Sequence, residues 1–360
     1  MGRGKKDKWE PYDYESAYRY EAEGEDALAR LEIQRLIDGQ RKAVYATKTV
    51  RAGPIMDVEV YPEFTRLPAG MPKLPRSSAA QRNLNEINSR KACERKINAN
   101  FTTRDLWITL SYAEALKPGT MAAAMKNVQN WIGRVNYRRK KQGLDLARYV
   151  YVTEWEKDGR KVRVHHHVVM DGDVPGEELL KIWGMGRRSQ ARRLEYDENG
   201  LTGISKYITK AAPMSGKRWC ASKNLIEPKE RKNHRTFRRR RVERMALRPG
   251  TVQEEMERAY PGYWLTQSKV RHNRVNGLFY VTAKMRCKAR PGDMVQISSK
   301  ADDLASASRW ARARMMSQEY RVLDTDDTPG KETVTLLAGR ERWTIPARAV
   351  IVIERKAGYT

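Results

Sequence analysis

The chain has 360 residues, with 71 Lys and Arg against 44 Asp and Glu, and a formal net charge of +27. No stretch approaches the ~18 consecutive apolar residues of a membrane span and no apolar signal segment opens the chain, so neither a membrane nor a secreted protein is expected. The three cysteines, Cys93, Cys220 and Cys287, are scattered without a CxxC pair, which argues against disulfides and structural zinc and fits a reducing cytoplasm. The excess of positive charge predicts a polyanionic partner, most often nucleic acid.

Residues 1–76 are interpreted as an N-terminal arm and connector. The first 25 residues are polar, and the apolar positions between 27 and 36 predict a helical extension. Five prolines between residues 51 and 76 favour an extended connector. A serine at 77 or 78 then suits the N-cap of a long polar helix that runs to about Asn98.

Residues 77–290 are predicted to form one α+β domain. Its first strand is the β-branched and aromatic run at 106–112, and Thr120 is a good N-cap for the amphipathic helix that follows. A hairpin comes next, and a short helix begins at Pro175. This order predicts a central antiparallel sheet with flanking helices.

The hairpin at 149–172 is the most strongly specified stretch. Asp158-Gly159 is typical of a two-residue type I′ turn, which requires positive φ at both central residues. Such a turn fixes the register and pairs Glu154 with Arg163. Residues that face each other, and residues two apart, then share one face of the sheet.

This register places His165, His167 and Glu154 on one open face, with His165 diagonal to the carboxylate at about 7 Å. Two imidazoles and a carboxylate at that separation suit one divalent metal ion. Glu156 shares the face but lies nearer the turn, so it ranks second as a ligand. His166 points to the opposite, mostly apolar face, which we expect to pack on helices. The alternative is a polar strand face that carries histidines by chance.

Residues 203–212 are predicted to form a helix on which Tyr207 and Lys210 share a face. The same helix has an apolar stripe, so from spacing alone a tyrosine there is more typical of a core than of catalysis. Arg238, Arg239, Arg240 and Arg241 then stand inside a strongly basic tract at 231–244. Clustered arginines suit phosphate oxygens, so we expect them to bind the DNA backbone; the alternative is a solvated loop.

Two further β-rich parts are expected towards the C-terminus. Asn276-Gly277 separates two strand-like runs and predicts another hairpin. From residue 291 to 360, short apolar runs separated by turns predict a small β-rich module, similar to an SH3-like barrel.

Three of these stretches, in this order, resemble the HUH endonucleases, and specifically the rolling-circle replication initiators of plasmids and phages. Asn100-Phe101 with the strand at 106–112 resembles the first motif, His165-His166-His167 the His-hydrophobic-His motif, and Tyr207 with Lys210 the Tyr-x-x-Lys motif. The resemblance covers about residues 77–285. The sequence departs from it at His166, where the family has a hydrophobic residue.

The resemblance implies a single-tyrosine enzyme that nicks and rejoins single-stranded origin DNA. It assigns Tyr207 as the nucleophile that forms a 5′-phosphotyrosine, Lys210 as the group that holds phosphate charge or stabilises the phenolate, and a bound Mn²⁺ or Mg²⁺ as the cofactor. The chain has no GxxxxGK[ST] motif, so unwinding would fall to a host helicase. Two alternatives remain: a single-tyrosine transposase of the same superfamily, and a non-catalytic basic nucleic-acid-binding protein.

Overall fold

The computed structural model describes residues 9–11, 42–65, 78–157, 160–203, 219–273, 277–297 and 318–354. Over these residues the architecture is α+β with antiparallel sheets, as predicted. The described helices are α1 (Ser78–Asn100), α2 (Met121–Lys141), α3 (Gly176–Trp183), α4 (Arg239–Leu247) and α5 (Thr251–Ala259). None of these five is long and apolar enough to cross a membrane.

The described strands are, in chain order, β1 (Trp9–Pro11), β2 (Ala43–Ala52), β3 (Ile55–Thr65), β4 (Leu106–Ser111), β5 (Tyr149–Lys157), β6 (Arg160–Met170), β7 (Gln190–Arg193), β8 (Cys220–Ala221), β9 (Lys229–Asn233), β10 (Tyr263–Asn273), β11 (Leu278–Cys287), β12 (Met294–Ile297), β13 (Tyr320–Asp326), β14 (Thr333–Ala338), β15 (Glu341–Pro346) and β16 (Val350–Glu354). They form three sheets.

Contacts between Cα atoms divide the chain into two compact units. Unit 1 consists of Met1–Arg51, Ile55–Asn88 and Lys229–Cys287, and unit 2 of Ala52–Pro54, Ser89–Pro228 and Lys288–Thr360. The domain boundaries predicted after residues 76 and 290 stay predictions.

Unit 1 is built on a six-stranded antiparallel sheet. Five strands follow the order β10-β11-β3-β2-β9, and β1 pairs with β3. Its core joins Val58 and Val281 of the sheet to Phe237, Met245 and Met256 in and before helices α4 and α5. The β10–β11 hairpin confirms the strand pair predicted around Asn276-Gly277, and Gly277 adopts a φ of 64°.

The connector expected over residues 51–76 is wrong for residues 51–65. These residues end β2 and form β3, whose Val58 and Val60 are buried. Pro62 falls between the β3 residues that pair with β11, which end at Val60, and those that pair with β1, which begin at Glu63. The strand therefore accommodates a proline where neither the pairing with β11 nor the pairing with β1 needs its missing N–H. The helix predicted over 27–36 lies outside the described residues.

Unit 2 contains the five-stranded antiparallel sheet that carries the predicted motifs. Its order is β7-β4-β6-β5-β8, so the histidine strand β6 lies in the middle. Helices α2 and α3 cover one face through Trp131, Leu179 and Trp183, which pack with Ile108 and Val168. The strand, helix, hairpin and helix predicted from 106 to 183 are all confirmed, including Thr120 as the N-cap of α2.

The second face of this sheet is also covered at one end. Ile97 of α1 packs with Trp107, Val150 and Val169 of the sheet, and Ile351 of β16 joins the same cluster. Both faces of the central strands therefore contribute to a core. Because buried polar groups are costly, a polar site can lie only where one face is not covered by apolar residues.

The C-terminal residues form an open sheet with the order β15-β14-β13-β12-β16. All four strands predicted after residue 291 are present, but the expected barrel closure is not found, because no pairing joins the outer strands β15 and β16 among the described residues. Strand β15 was not predicted, since half of its sequence ERWTIP is polar; none of its residues is buried.

Candidate metal centre

The centre is assembled by the registers of β4, β5 and β6. Glu154 lies directly opposite His165 across the β5–β6 pair, and Thr109 lies opposite His167 across the β4–β6 pair. Because paired residues share a face, these four side chains lie on the same side of the sheet. Ser111, opposite His165, completes this row of polar residues.

The predicted pairing of Glu154 with Arg163 is wrong by two residues. Glu156 pairs with Lys161 as predicted from the sequence, but the register then shifts between Glu156 and Glu154, so that three residues of β6 stand against one residue of β5. A shift of two leaves side-chain parity unchanged. The irregularity therefore keeps Glu154 on the histidine face and moves it from a diagonal position to the position opposite His165.

The possible ligand atoms of Glu154, His165 and His167 lie within 4.8 Å of one another. His165 Nε2 is 2.7 Å and His167 Nε2 3.8 Å from Glu154 Oε2, and the two imidazole nitrogens are 3.0 Å apart. Two nitrogens and a carboxylate oxygen that converge in this way could hold one metal ion.

The far side of each imidazole is also engaged. His165 Nδ1 lies 2.8 Å from the carbonyl oxygen of Arg163. A carbonyl only accepts, so Nδ1 carries the proton and a neutral His165 keeps the Nε2 lone pair for a ligand. His167 Nδ1 lies 3.4 Å from Thr109 Oγ1, which also accepts a bond of 3.1 Å from Trp107 Nε1. Such second partners orient imidazoles at metal sites.

The charge state of the cluster favours binding of a cation. Burial alone would raise the pKa of Glu154, but hydrogen bonds and charge from His165 and His167 outweigh it and lower the pKa to about 2. Burial lowers the pKa of His165, but the Glu154 carboxylate and the Arg163 carbonyl reverse this and raise it. Glu154 is therefore an anion at neutral pH and a ready ligand for a metal ion.

The histidine face is not the open face expected from the sequence. Glu154 is 7% and His167 8% exposed, because the same face continues into the apolar cluster around Val150, Val152 and Trp107. His165 is the more accessible ligand, with 25% of its side chain exposed. The cluster is thus reached from one side, near the hairpin end of the sheet.

His166 points to the opposite face, as predicted, and is fully buried. Its Nε2 lies 2.7 Å from the Tyr112 hydroxyl and its Nδ1 2.8 Å from Thr153 Oγ1. Burial, and then the neighbouring His165 and His167, lower the pKa of His166 to about 3, so it is neutral at pH 7. The ring therefore bridges strands β4 and β5 through hydrogen bonds.

A cavity of about 360 Å³ opens beside the cluster. Its lining includes Glu154 and His165 together with two basic residues from different elements, Arg163 of β6 and Arg188 of the loop between α3 and β7. Neither arginine was predicted as a site residue from the sequence, nor were Thr109 and Ser111. The signal for the latter two was the alternation of Thr109 and Ser111 with the apolar residues Ile108 and Leu110 in LWITLS.

The predicted nucleophile Tyr207 and its neighbour Lys210 lie outside the described residues, as does all but the first residue of the helix predicted over 203–212.

The four consecutive arginines of the basic tract are not equivalent, because two of them have carboxylate partners within the chain. Arg241 binds Glu255 of α5, donates to the Thr236 carbonyl at 3.1 Å and lies 4.7 Å over the Phe237 ring. Arg239 pairs with Glu243 at 2.8 Å, one turn along α4. Sequence alone could not supply Glu255, which reaches the tract from another helix.

Arg238 and Arg240 differ from these two. Both are exposed, and neither has an ion pair within the described part of the chain. Arg238 is the N-cap residue of α4, and its side chain makes no capping hydrogen bond. Of the four consecutive arginines, these two are therefore the ones that can turn to an external anion.

The His166 network gives a stability prediction. In His166→Leu the buried hydroxyls of Tyr112 and Thr153 lose their bond to the imidazole, which should lower the free energy of unfolding by about 1–3 kcal/mol, as measured by urea denaturation. Adding Tyr112→Phe and Thr153→Val to His166→Leu should recover part of the loss, because the two hydroxyls that faced the imidazole are then removed. Wild-type stability in the single variant would contradict the bridging role.

Comparison with known proteins gives one family match. Residues 105–212 match the family described as replication-associated protein ORF2/G2P. No curated protein and no solved structure matches the chain. The matched stretch is less than a third of the chain but begins at β4 and includes α2, the β5–β6 hairpin, α3 and β7. The chain is thus similar to replication-associated proteins where Glu154, His165 and His167 lie, which supports a role as a replication initiator.

Proposed function

We propose that this chain is a rolling-circle replication initiator of the HUH type, which nicks and rejoins single-stranded origin DNA. One observation carries the proposal: a carboxylate and two imidazoles converge within the stretch that matches replication-associated proteins. The net charge of +27 fits a nucleic-acid substrate. The protein would act on single-stranded origin DNA in a bacterial cytoplasm, and a host helicase would unwind the duplex.

The proposed cofactor is Mn²⁺ or Mg²⁺, held by His165, His167 and Glu154. The donor set fits, since a carboxylate suits hard divalent cations and imidazole nitrogens shift the preference towards Mn²⁺. Hydrogen bonds at Nδ1 of both imidazoles leave Nε2 turned towards the carboxylate. When bound, the ion supplies Lewis-acid polarisation and orientation of the scissile phosphate.

Tyr207 is the proposed nucleophile. Its phenolic oxygen forms a bond to phosphorus as the bond from phosphorus to the 3′ oxygen breaks; the phenolic proton leaves and the 3′ oxygen gains one. The products are a 5′-phosphotyrosyl strand and a free 3′-OH, and the reverse reaction rejoins them without ATP. A phenol with an ordinary pKa of about 10 needs activation, and Lys210 is proposed to hold phosphate charge or stabilise the phenolate.

The metal assignment predicts an order of effects. Replacing both His165 and His167 with Ala should remove Mn²⁺ binding, and Glu154→Ala should weaken it by about tenfold or more, as measured by calorimetry. Glu156→Ala is the matched control and should have the smaller effect, because β5 pairs Glu154 and not Glu156 with His165. A larger loss in Glu156→Ala would contradict the assignment. Circular dichroism must accompany the titrations, since two of the ligands are buried.

The nucleophile is tested with Tyr207→Phe. Incubation of the wild type with Mn²⁺ and pooled single-stranded oligonucleotides should give a protein–DNA band on a denaturing gel. Tyr207→Phe should lose this band while its DNA affinity stays within about twofold, because only the reacting oxygen is removed. An unchanged band would assign the linkage to another residue, and no band from the wild type would favour a non-catalytic binding protein.

The basic tract is proposed to contact the DNA backbone through Arg238 and Arg240. Replacing both with Gln should flatten the log–log salt dependence of binding by about 1.4, because each phosphate contact on a single strand contributes about 0.7. Preference for origin over scrambled DNA should change little, since phosphate contacts do not read bases.

The matched control for this titration replaces Arg239 and Arg241 with Gln. This pair should leave the slope nearly unchanged and lower stability, because both side chains already bind carboxylates. Equal slopes in the two double variants would contradict the division of the tract.

A further inference from the structure

The loop at residues 184–189, between α3 and β7, is held rigidly against the end of β4. Gly184 ends α3 with a φ of 65°, and a Cβ at Gly186 would lie 2.2 Å from the Ser111 carbonyl oxygen. The Ala113 N–H donates to the Met185 carbonyl at 2.6 Å. Only glycine permits so close an approach of the two backbones, so the loop's path is fixed by its sequence.

Side chains fasten the same loop on both sides. The Ser111 N–H donates to Ser189 Oγ at 3.0 Å, and the two serine hydroxyls are 3.3 Å apart. Just before the loop, Trp183 Nε1 donates to the Ser111 carbonyl at 2.7 Å. Ser111 lies opposite His165, so these contacts position the loop relative to the candidate metal centre.

This anchored loop carries Arg187 and Arg188, and the second of these lines the cavity with Glu154 and His165. Arg188 is exposed and pairs with no acidic side chain in the described part of the chain. Arg163 lines the same cavity, and its Nη2 donates to the Tyr112 carbonyl at 2.9 Å. Its contact with Glu114 is long, at 3.7 Å, and Glu114 is largely exposed.

The groups around the cavity carry an excess of positive charge that would favour binding of an anion. A divalent cation beside the single carboxylate of Glu154 leaves a net positive charge, and the two guanidinium groups increase it. Guanidinium groups present forked donors that match phosphate oxygens. Within the described residues, both Arg163 and Arg188 keep N–H donors that are not used in hydrogen bonds to the protein. A solvated pair of arginines would not need the close loop–strand packing that brings Arg188 to this place.

We propose that Arg163 and Arg188 form a phosphate subsite at the mouth of this cavity, which holds a backbone phosphate of the single-stranded DNA next to the metal centre. The inference rests on the proposed function for the identity of the strand. Its test uses binding alone, so that it does not depend on cleavage.

The experiment measures the affinity of the full chain for a fluorescent oligothymidylate in EDTA, at several salt concentrations. Arg188→Gln should weaken binding about fivefold at 0.1 M salt and reduce the log–log slope by about 0.7, the contribution of one phosphate contact. Arg163→Gln should act similarly. Arg187→Gln is the matched control, because its side chain neighbours Arg188 in the same loop but does not line the cavity; it should stay within about twofold of the wild type.

Two further results decide the interpretation. Without DNA, Mn²⁺ affinity of Arg188→Gln should equal or exceed that of the wild type, because a positive charge has been removed; a weaker affinity would make Arg188 a support of the metal cluster and overturn the subsite. Equal loss in Arg187→Gln and Arg188→Gln would also overturn it. Loss specific to Arg188→Gln in a protein that forms no covalent DNA adduct would uphold the subsite and reject the nuclease.

Discussion

Three consecutive histidines of strand β6 point alternately to a polar face and to a buried face of the sheet, and the candidate site depends on this alternation. His165 and His167 turn to the carboxylate of Glu154, while His166 turns into the core between Tyr112 and Thr153. A buried imidazole without partners would be costly, so its two hydrogen bonds stabilise one register of β4 and β5 against β6. A slip of one residue would exchange the faces of all three rings.

Much of unit 2 could be predicted because its signals are local. The apolar run at 106–112, the N-cap Thr120 and the Asp158-Gly159 sequence are signals of a few residues each, and together they predict β4, α2 and the hairpin. Side-chain parity then follows without knowledge of the fold, which is why the inward direction of His166 was confirmed. The family resemblance supplied the chemical interpretation, which geometry alone does not determine.

The errors have other causes, and two of the three depend on residues that are distant in the sequence. The irregularity that moves Glu154 opposite His165 arises inside a strand pair, where no turn residue marks it. The partner of Arg241 is Glu255, contributed by another helix. Strand β3 pairs with β11, more than 200 residues further along the chain. The local prolines predicted an extended connector, because the sequence near β3 does not show this distant partner. Long-range pairing is the information that short patterns do not contain.

Net charge alone does not locate the nucleic-acid contacts. Arg139 is 2% exposed and paired with Asp171, and Arg241 is held by Glu255, so neither is available to a polyanion. Charges act over about 10 Å at 0.1 M salt, which means that the groups around the cavity set the local affinity.

At this cavity the proposed metal centre and the proposed phosphate subsite affect each other. Arg163 and Arg188 would repel a cation near Glu154 until a phosphate offsets their charge. Phosphate binding should therefore strengthen metal binding, and by reciprocity the metal should strengthen DNA binding by the same factor. On this view Arg163 and Arg188 do more than attract DNA, because they make metal affinity depend on the presence of the strand that is to be cut.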